Sequence, residues 1–298
     1  GVPDLAQMRT DYLASLRQRF EYLDLGGIAP RVQNRTVKLR MDDVFVPVQA
    51  RPELEPRDKW PGWEGRSGSE PESEPESAEI ARRMLARSRR EVPAQPVEIP
   101  DLLRRPRVVV LGDPGCGKST LLRHVAHAIA CGKPEVGEVV LERLPIFVRS
   151  VQFSQAQAED STLTLDTYIR EILEPRWALL FQHALDVGEA LLLLDGLDEV
   201  VDTHQRKGVA EAIQRLVADY PGNGFLVTSR IVGYQAARLS GDFAHYTIQP
   251  LPPERIAEFV EKWYAAIERE AGEAELSEEV RERAEELGRV IQERPGIR

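Results

Sequence analysis

The sequence predicts an α/β fold in which a parallel sheet is covered by helices on both faces. Three observations carry that prediction. Short, nearly uninterrupted apolar runs recur at 108–111, 144–148, 190–194 and 225–227, as strands buried on both faces require. Longer stretches with apolar residues at helical spacing separate them. The residues just past the runs are chemically special: glycines after the first, Asp195 after the third and Arg230 after the fourth. In open parallel sheets, ligands bind at that strand edge.

The first run leads into Gly112, Asp113, Pro114, Gly115, Cys116, Gly117, Lys118, Ser119 and Thr120, of which 112–119 match G-x-x-x-x-G-K-[ST]. An amphipathic helix follows from Thr120, so the context is strand, glycine loop, helix. Glycines let the backbone curl until successive N–H groups point at phosphate oxygens, and the helix N-terminus adds partial positive charge. In that cradle Lys118 reaches the β- and γ-phosphates, and the Ser119 hydroxyl ligates Mg²⁺. Cys116 reads as a small loop residue whose position beside Lys118, at a helix N-terminus, would lower its thiol pKa.

The third run, Ala190-Leu-Leu-Leu-Leu-Asp-Gly-Leu-Asp-Glu, ends in a carboxylate at the same sheet edge. Magnesium between two phosphates needs oxygen ligands, which Asp195 supplies together with Ser119. Hydrolysis also needs a group that orients or deprotonates water, and Asp198 and Glu199 are both placed for it. Arg230, at the end of Phe225-Leu-Val-Thr-Ser-Arg, can fork onto the γ-phosphate or the leaving oxygen. A fifth strand is expected at 243–248, and helices at 163–173, 177–185, 204–218 and 252–267. The stripe Ile256, Phe259, Val260, Trp263 and Ile267 on the last of these reads as core packing.

Composition agrees. The 298 residues are 42% apolar, enough for one large domain and something smaller, and the net charge of −10 argues against general affinity for nucleic acid or anionic membrane. No apolar run reaches the ~18 residues of a membrane-spanning helix. Only Cys116 and Cys131 are present, ~20 Å apart at helical rise, so no disulfide framework is possible and a reducing, cytoplasmic setting is expected.

Four regions are expected. Residues 1–50 form a small unit of a helix at 4–25, stopped by Gly26-Gly27, and strands at 36–40 and 44–48. Residues 51–96 are a linker rich in Pro, Glu and Ser, too polar to offset its ordering entropy, with a short Arg-rich helix at 78–90. Residues 97–251 are the nucleotide-binding domain. Residues 252–298 begin a helical arm, with a charged helix at 277–293.

The three motifs, Gly-Asp-Pro-Gly-Cys-Gly-Lys-Ser-Thr-Leu-Leu-Arg, Leu-Leu-Leu-Leu-Asp-Gly-Leu-Asp-Glu and Val-Thr-Ser-Arg-Ile-Val-Gly-Tyr, together resemble a NACHT domain of the STAND group of P-loop NTPases, of the bacterial NACHT type. A tiny residue after the magnesium aspartate and a second acid two positions further, Asp195-Gly196-Leu197-Asp198, is the diagnostic piece. The resemblance covers residues 96–270. It implies a three-layer sandwich around a five-stranded parallel sheet of order 2-3-4-1-5. It makes Asp198 the better water-activating acid and Arg230 the sensor of bound nucleotide. It further implies an ATP/ADP switch in anti-phage or immune-type defence, closed with ADP and homo-oligomeric with ATP. An effector upstream, and winged-helix and ligand-sensing regions downstream, would lie outside this sequence. A P-loop phosphotransferase, or an AAA+-like ATPase without a signalling role, is the alternative, and a scaffold that binds no nucleotide is a third reading.

Overall fold

The structure, a computed structural model, describes residues 4–23, 31–32, 35–36, 38–53 and 95–271. The expected linker with its Arg-rich helix, the Gly26-Gly27 stop and the charged helix at 277–293 lie outside the described residues, apart from the first and last few linker positions.

Six strands form one sheet: β1 (Ala50–Pro52), β2 (Arg107–Leu111), β3 (Leu144–Arg149), β4 (Ala190–Asp195), β5 (Gly224–Ser229) and β6 (Ala244–Ile248), in the order β1-β6-β2-β5-β4-β3. The five strands from β2 to β6 are parallel to their neighbours and follow the expected 2-3-4-1-5 order. β1 adds a sixth, antiparallel, at the edge beside β6. All six residues of β4 and of β5 are buried. Helices cover both faces, which is why these strands read as continuous apolar runs rather than alternating ones.

The main helices are α1 (Leu5–Phe20), α2 (Lys118–Ala130), α3 (Ser150–Glu159), α4 (Ala178–Val187), α5 (Thr203–Asp219) and α6 (Pro253–Ala271). α2 is stopped at Gly132, which takes φ +68°, and α4 at Gly188, whose φ of +78° makes it a left-handed cap. The stretch expected as a helix at 163–173 is a single turn, Leu165–Thr167, followed by a π-helix, Tyr168–Leu173. Tyr168 and Ile169 of this π-helix are both buried.

α1 begins at Asp4, whose carboxylate accepts from the Ala6 and Gln7 N–H groups at 3.0 and 3.2 Å. Its buried residues Tyr12, Leu16 and Phe20 recur every fourth position and belong to the same apolar cluster as the sheet. Tyr12 lies edge-on to Phe181 of α4, and its hydroxyl donates to the Pro145 carbonyl of β3 at 2.7 Å. Burial at this site pushes the phenol far above its ordinary pKa.

The strand expected at 44–48 is absent. Residues Met41–Val44 form a short helix instead, with Asp42 and Asp43 favourably placed in its first turn. Pro47 cannot donate to a ladder, and pairing starts only at Ala50, which exchanges backbone hydrogen bonds with Val97 at 3.1 and 2.8 Å. The intervening segment ties α2 to α6. The Phe45 ring stacks on His124 of α2 at 3.6 Å, and its carbonyl accepts from Lys262 of α6 at 3.1 Å. Arg269 of α6 pairs with Asp43 at 2.8 Å. The α6 stripe therefore packs on this segment through Phe259, Trp263, Ala266 and Ile267, against Leu39 and Val44.

His124 is buried under Phe45, with its pKa held down to about 4, mainly by desolvation. His245, 2.8 Å from the Tyr234 hydroxyl, is also lowered to about 4 by burial. An unfolded histidine titrates near 6.5, so both residues stabilise the fold fully above that pH and lose their contribution as pH falls towards 4. Melting temperature should therefore drop between pH 7 and 4, and less steeply in His124→Phe. Superimposable curves for the two proteins would contradict the assignment for His124.

Candidate functional site

The site is built at the C-terminal edge of β2, β4 and β5. β2 ends at Leu111, and the Gly112 N–H donates to the Ser229 carbonyl of β5 at 3.3 Å, which fixes where the loop leaves the sheet. The loop turns through Gly115 at φ +80° and Gly117 at φ +89°, a region that residues with a Cβ rarely adopt. No atom lies within 4 Å of where a Cβ would stand at either position, so the cradle is open. Gly112 is tight for a different reason: a Cβ there would come within 2.4 Å of Cys116 Sγ.

Gly117 is the N-cap of α2 and makes no side-chain capping hydrogen bond, so the N-terminal N–H groups of the helix face the loop without a side-chain cap. Lys118 Nζ donates to the carbonyls of Gly112 and Asp113, both at 2.9 Å, and lies 3.7 Å from Cys116 Sγ. Cys116 departs from its expectation. Desolvation raises its thiol pKa and outweighs the lowering effect of Lys118.

Asp195 is only 4% exposed at the end of β4. Its Oδ1 accepts from Ser119 Oγ of α2 and from Thr228 Oγ1 of β5, each at 2.9 Å. Thr228 Oγ1 accepts in turn from the Gly196 N–H at 2.9 Å. Two hydroxyls from different elements thus converge on one carboxylate oxygen. Thr228 is a positioning residue that sequence reasoning missed. A hydroxyl side chain in the otherwise apolar run Phe225-Leu-Val-Thr was the available signal.

Gly196 adopts φ +70°, and a Cβ there would stand 2.8 Å from Glu199 Cδ. This turn buries Leu197 and sends the two following acids apart. The Asp198 side chain, 7% exposed, is gripped by Arg230: the backbone N–H donates to Oδ1 at 2.8 Å and Nε to Oδ2 at 2.9 Å. Glu199 turns the other way and pairs with Arg149, at the end of β3, at 3.2 Å. The structure therefore brings Ser119 and Asp195 together, and separately Asp198 and Arg230. The Gly112–Ser229 hydrogen bond links the glycine loop to the strand that carries Arg230. Glu199 belongs to a second, neighbouring ion pair.

The donor set fits a magnesium–nucleotide complex on its own chemistry. Ser119 and Asp195 supply hard oxygen atoms, and the glycine cradle and Lys118 supply N–H donors and positive charge for phosphate. Among the described residues there is no group of three or more His, Cys, Asp or Glu side chains that could form a self-contained metal site. Nor is any described helix long and apolar enough to cross a membrane.

Comparison with known proteins agrees with this geometry. The family model described as NACHT domain matches residues 106–266, more than half of the chain. No curated protein matches. With the phosphate loop, the buried Asp195 and the parallel sheet all inside the matched segment, the chain belongs to the NACHT family of nucleotide-binding P-loop NTPases of the STAND type.

Proposed function

We propose that this chain is the nucleotide-operated switch of a signalling protein, binding Mg·ATP on residues 112–120 and hydrolysing it slowly. The observation that carries the reading is the pairing of Ser119 with Asp195 at 2.9 Å beside the open glycine loop. These two residues would hold the magnesium ion, which supplies charge neutralisation between the β- and γ-phosphates. Gly112, Asp113, Pro114, Gly115, Cys116, Gly117 and Thr120 complete the cradle. Lys118 exchanges its loop carbonyls for phosphate oxygens.

Slow turnover follows from the acids. Asp198 is the group that orients attacking water, yet both its carboxylate oxygens are held by Arg230, one by the backbone N–H and one by the guanidinium. A γ-phosphate competes for the Arg230 guanidinium, which is half exposed, and so couples arrival of the triphosphate to release of Asp198. Glu199 is held by Arg149 and is the less available base. Catalysis is then positioning and charge stabilisation, with no covalent intermediate. The same exchange at Arg230 makes ATP and ADP distinguishable, which is what a switch needs. The biological setting that fits is ATP-driven homo-oligomerisation in bacterial anti-phage or immune-type defence.

Lys118→Ala should abolish ATP binding measured by calorimetry. Asp198→Asn should bind ATP as the parent does while turnover falls by about 10²-fold, a general-base effect. Equal loss of binding in both would remove the division of roles. Gel filtration with a non-hydrolysable ATP analogue should give a larger species than with ADP, and Arg230→Ala should no longer distinguish the two. One elution position for both nucleotides in the parent protein would overturn the switch.

A further inference from the structure

The far end of α2 carries a second cluster of reactive side chains, remote from the phosphate loop. Cys131 caps that helix one turn after His127, so the i,i+4 spacing stacks thiol and imidazole on one face. Cys131 Sγ lies 3.7 Å from His127 Nε2. Among the described residues His127 Nδ1 has no hydrogen-bond partner; it faces Asp42 Oδ1 at 3.4 Å, with the imidazole 4% exposed. The thiol is only half-buried and opens on a cavity of about 330 Å³ walled by α1 and the segment around Asp42.

Two arginines line that cavity, Arg17 and Arg40. Arg40 is paired with Glu21 at 3.3 Å. Arg17 spends its Nε on the Ala130 carbonyl, and among the described residues no carboxylate lies within ion-pair distance of it. The cavity therefore presents a thiol, a buried imidazole and the Arg17 guanidinium, while its two lining carboxylates, Glu21 and Asp42, are paired with Arg40 and Lys133.

We propose that Cys131 is a thiol–disulfide exchange site for a small anionic disulfide, with His127 as proton acceptor and Arg17 as the carboxylate contact. In the exchange the thiol proton passes to His127 Nε2 while sulfur attacks one atom of the incoming S–S bond. A mixed disulfide forms on Cys131 as the original S–S bond breaks, and the departing thiolate takes the proton from His127. One disulfide is consumed and one is made, so no further oxidant enters. Asp42 favours the tautomer with hydrogen on Nδ1, which leaves Nε2 free to accept.

The surroundings explain why a base is needed. Burial raises the Cys131 thiol against the lowering effects of Arg17 and Lys133, with Asp42 and Glu135 adding to the rise. Burial also holds His127 below the usual imidazole range, against Asp42 and Glu21 and with Lys133 and Arg40. A neutral thiol thus sits beside a neutral imidazole, the pair between which a proton can pass at the moment of attack.

The test treats the full chain with oxidised glutathione or with the cationic disulfide cystamine, and follows both cysteines by peptide mass mapping. In the folded chain Cys131 should react before Cys116, and the glutathione-to-cystamine rate ratio at Cys131 should exceed that of the urea-unfolded chain. Arg17→Gln should erase that preference, and His127→Gln should slow Cys131 by about tenfold or more, as loss of a general base does. An unchanged ratio on unfolding, or Cys131 reacting no faster than Cys116, overturns the proposal. Both of those comparisons use the unmutated protein.

Discussion

The hydrogen bond from Ser119 to Asp195 is the constraint on which the rest of the arrangement depends. It spans two elements, the first turn of α2 and the last residue of β4, and so fixes the glycine loop against the sheet. Thr228 closes the assembly from β5, tying the Asp195 carboxylate to the backbone of Gly196. Asp195 is nearly enclosed, so each of these hydroxyls acts in a setting where an unpaired carboxylate would be costly. The parallel sheet matters because it alone brings a loop after β2, an acid after β4 and an arginine after β5 to a single edge.

The two acids that follow Asp195 are each held by an arginine. Asp198 answers to Arg230 and Glu199 to Arg149, one pair on each side of Asp195. Gly196, with its positive φ, turns the chain between Asp195 and these two acids. On the function proposed above, Asp198 is bound to the arginine that a γ-phosphate would attract, which would tie hydrolysis to a rearrangement.

Much of this was legible in the sequence because the signals are local. The glycine loop, the run ending in Asp195 and the strand ending in Arg230 each carry their meaning within about ten residues. The strand order came with the resemblance to NACHT domains and agrees with the observed pairing. What escaped depends on distant partners. The edge strand Ala50–Pro52 exists because β6 offers it an open ladder; Pro47 argues against pairing at 44–48, but nothing local says that it resumes at Ala50. Thr228 gains its role only from Asp195, thirty-three positions earlier. For Cys116 the local rule pointed the wrong way: a helix N-terminus and Lys118 favour the thiolate, but burial prevails. The α6 aromatics Phe259 and Trp263, which the spacing marks as core, are half-buried and pack against Leu39 and Val44 rather than against the sheet.

The account reduces to a claim that Ser119 and Asp195 act on one magnesium-bound triphosphate. A double-mutant cycle on ATP affinity, with Ser119→Ala, Asp195→Ala and the pair, measured with magnesium and again with chelator, addresses it directly. Coupling of about 1–3 kcal/mol in magnesium that falls markedly with chelator is the predicted result, the remainder being the direct Ser119–Asp195 hydrogen bond. Additive losses in magnesium would mean the two residues do not meet on a common ion, and would contradict the account.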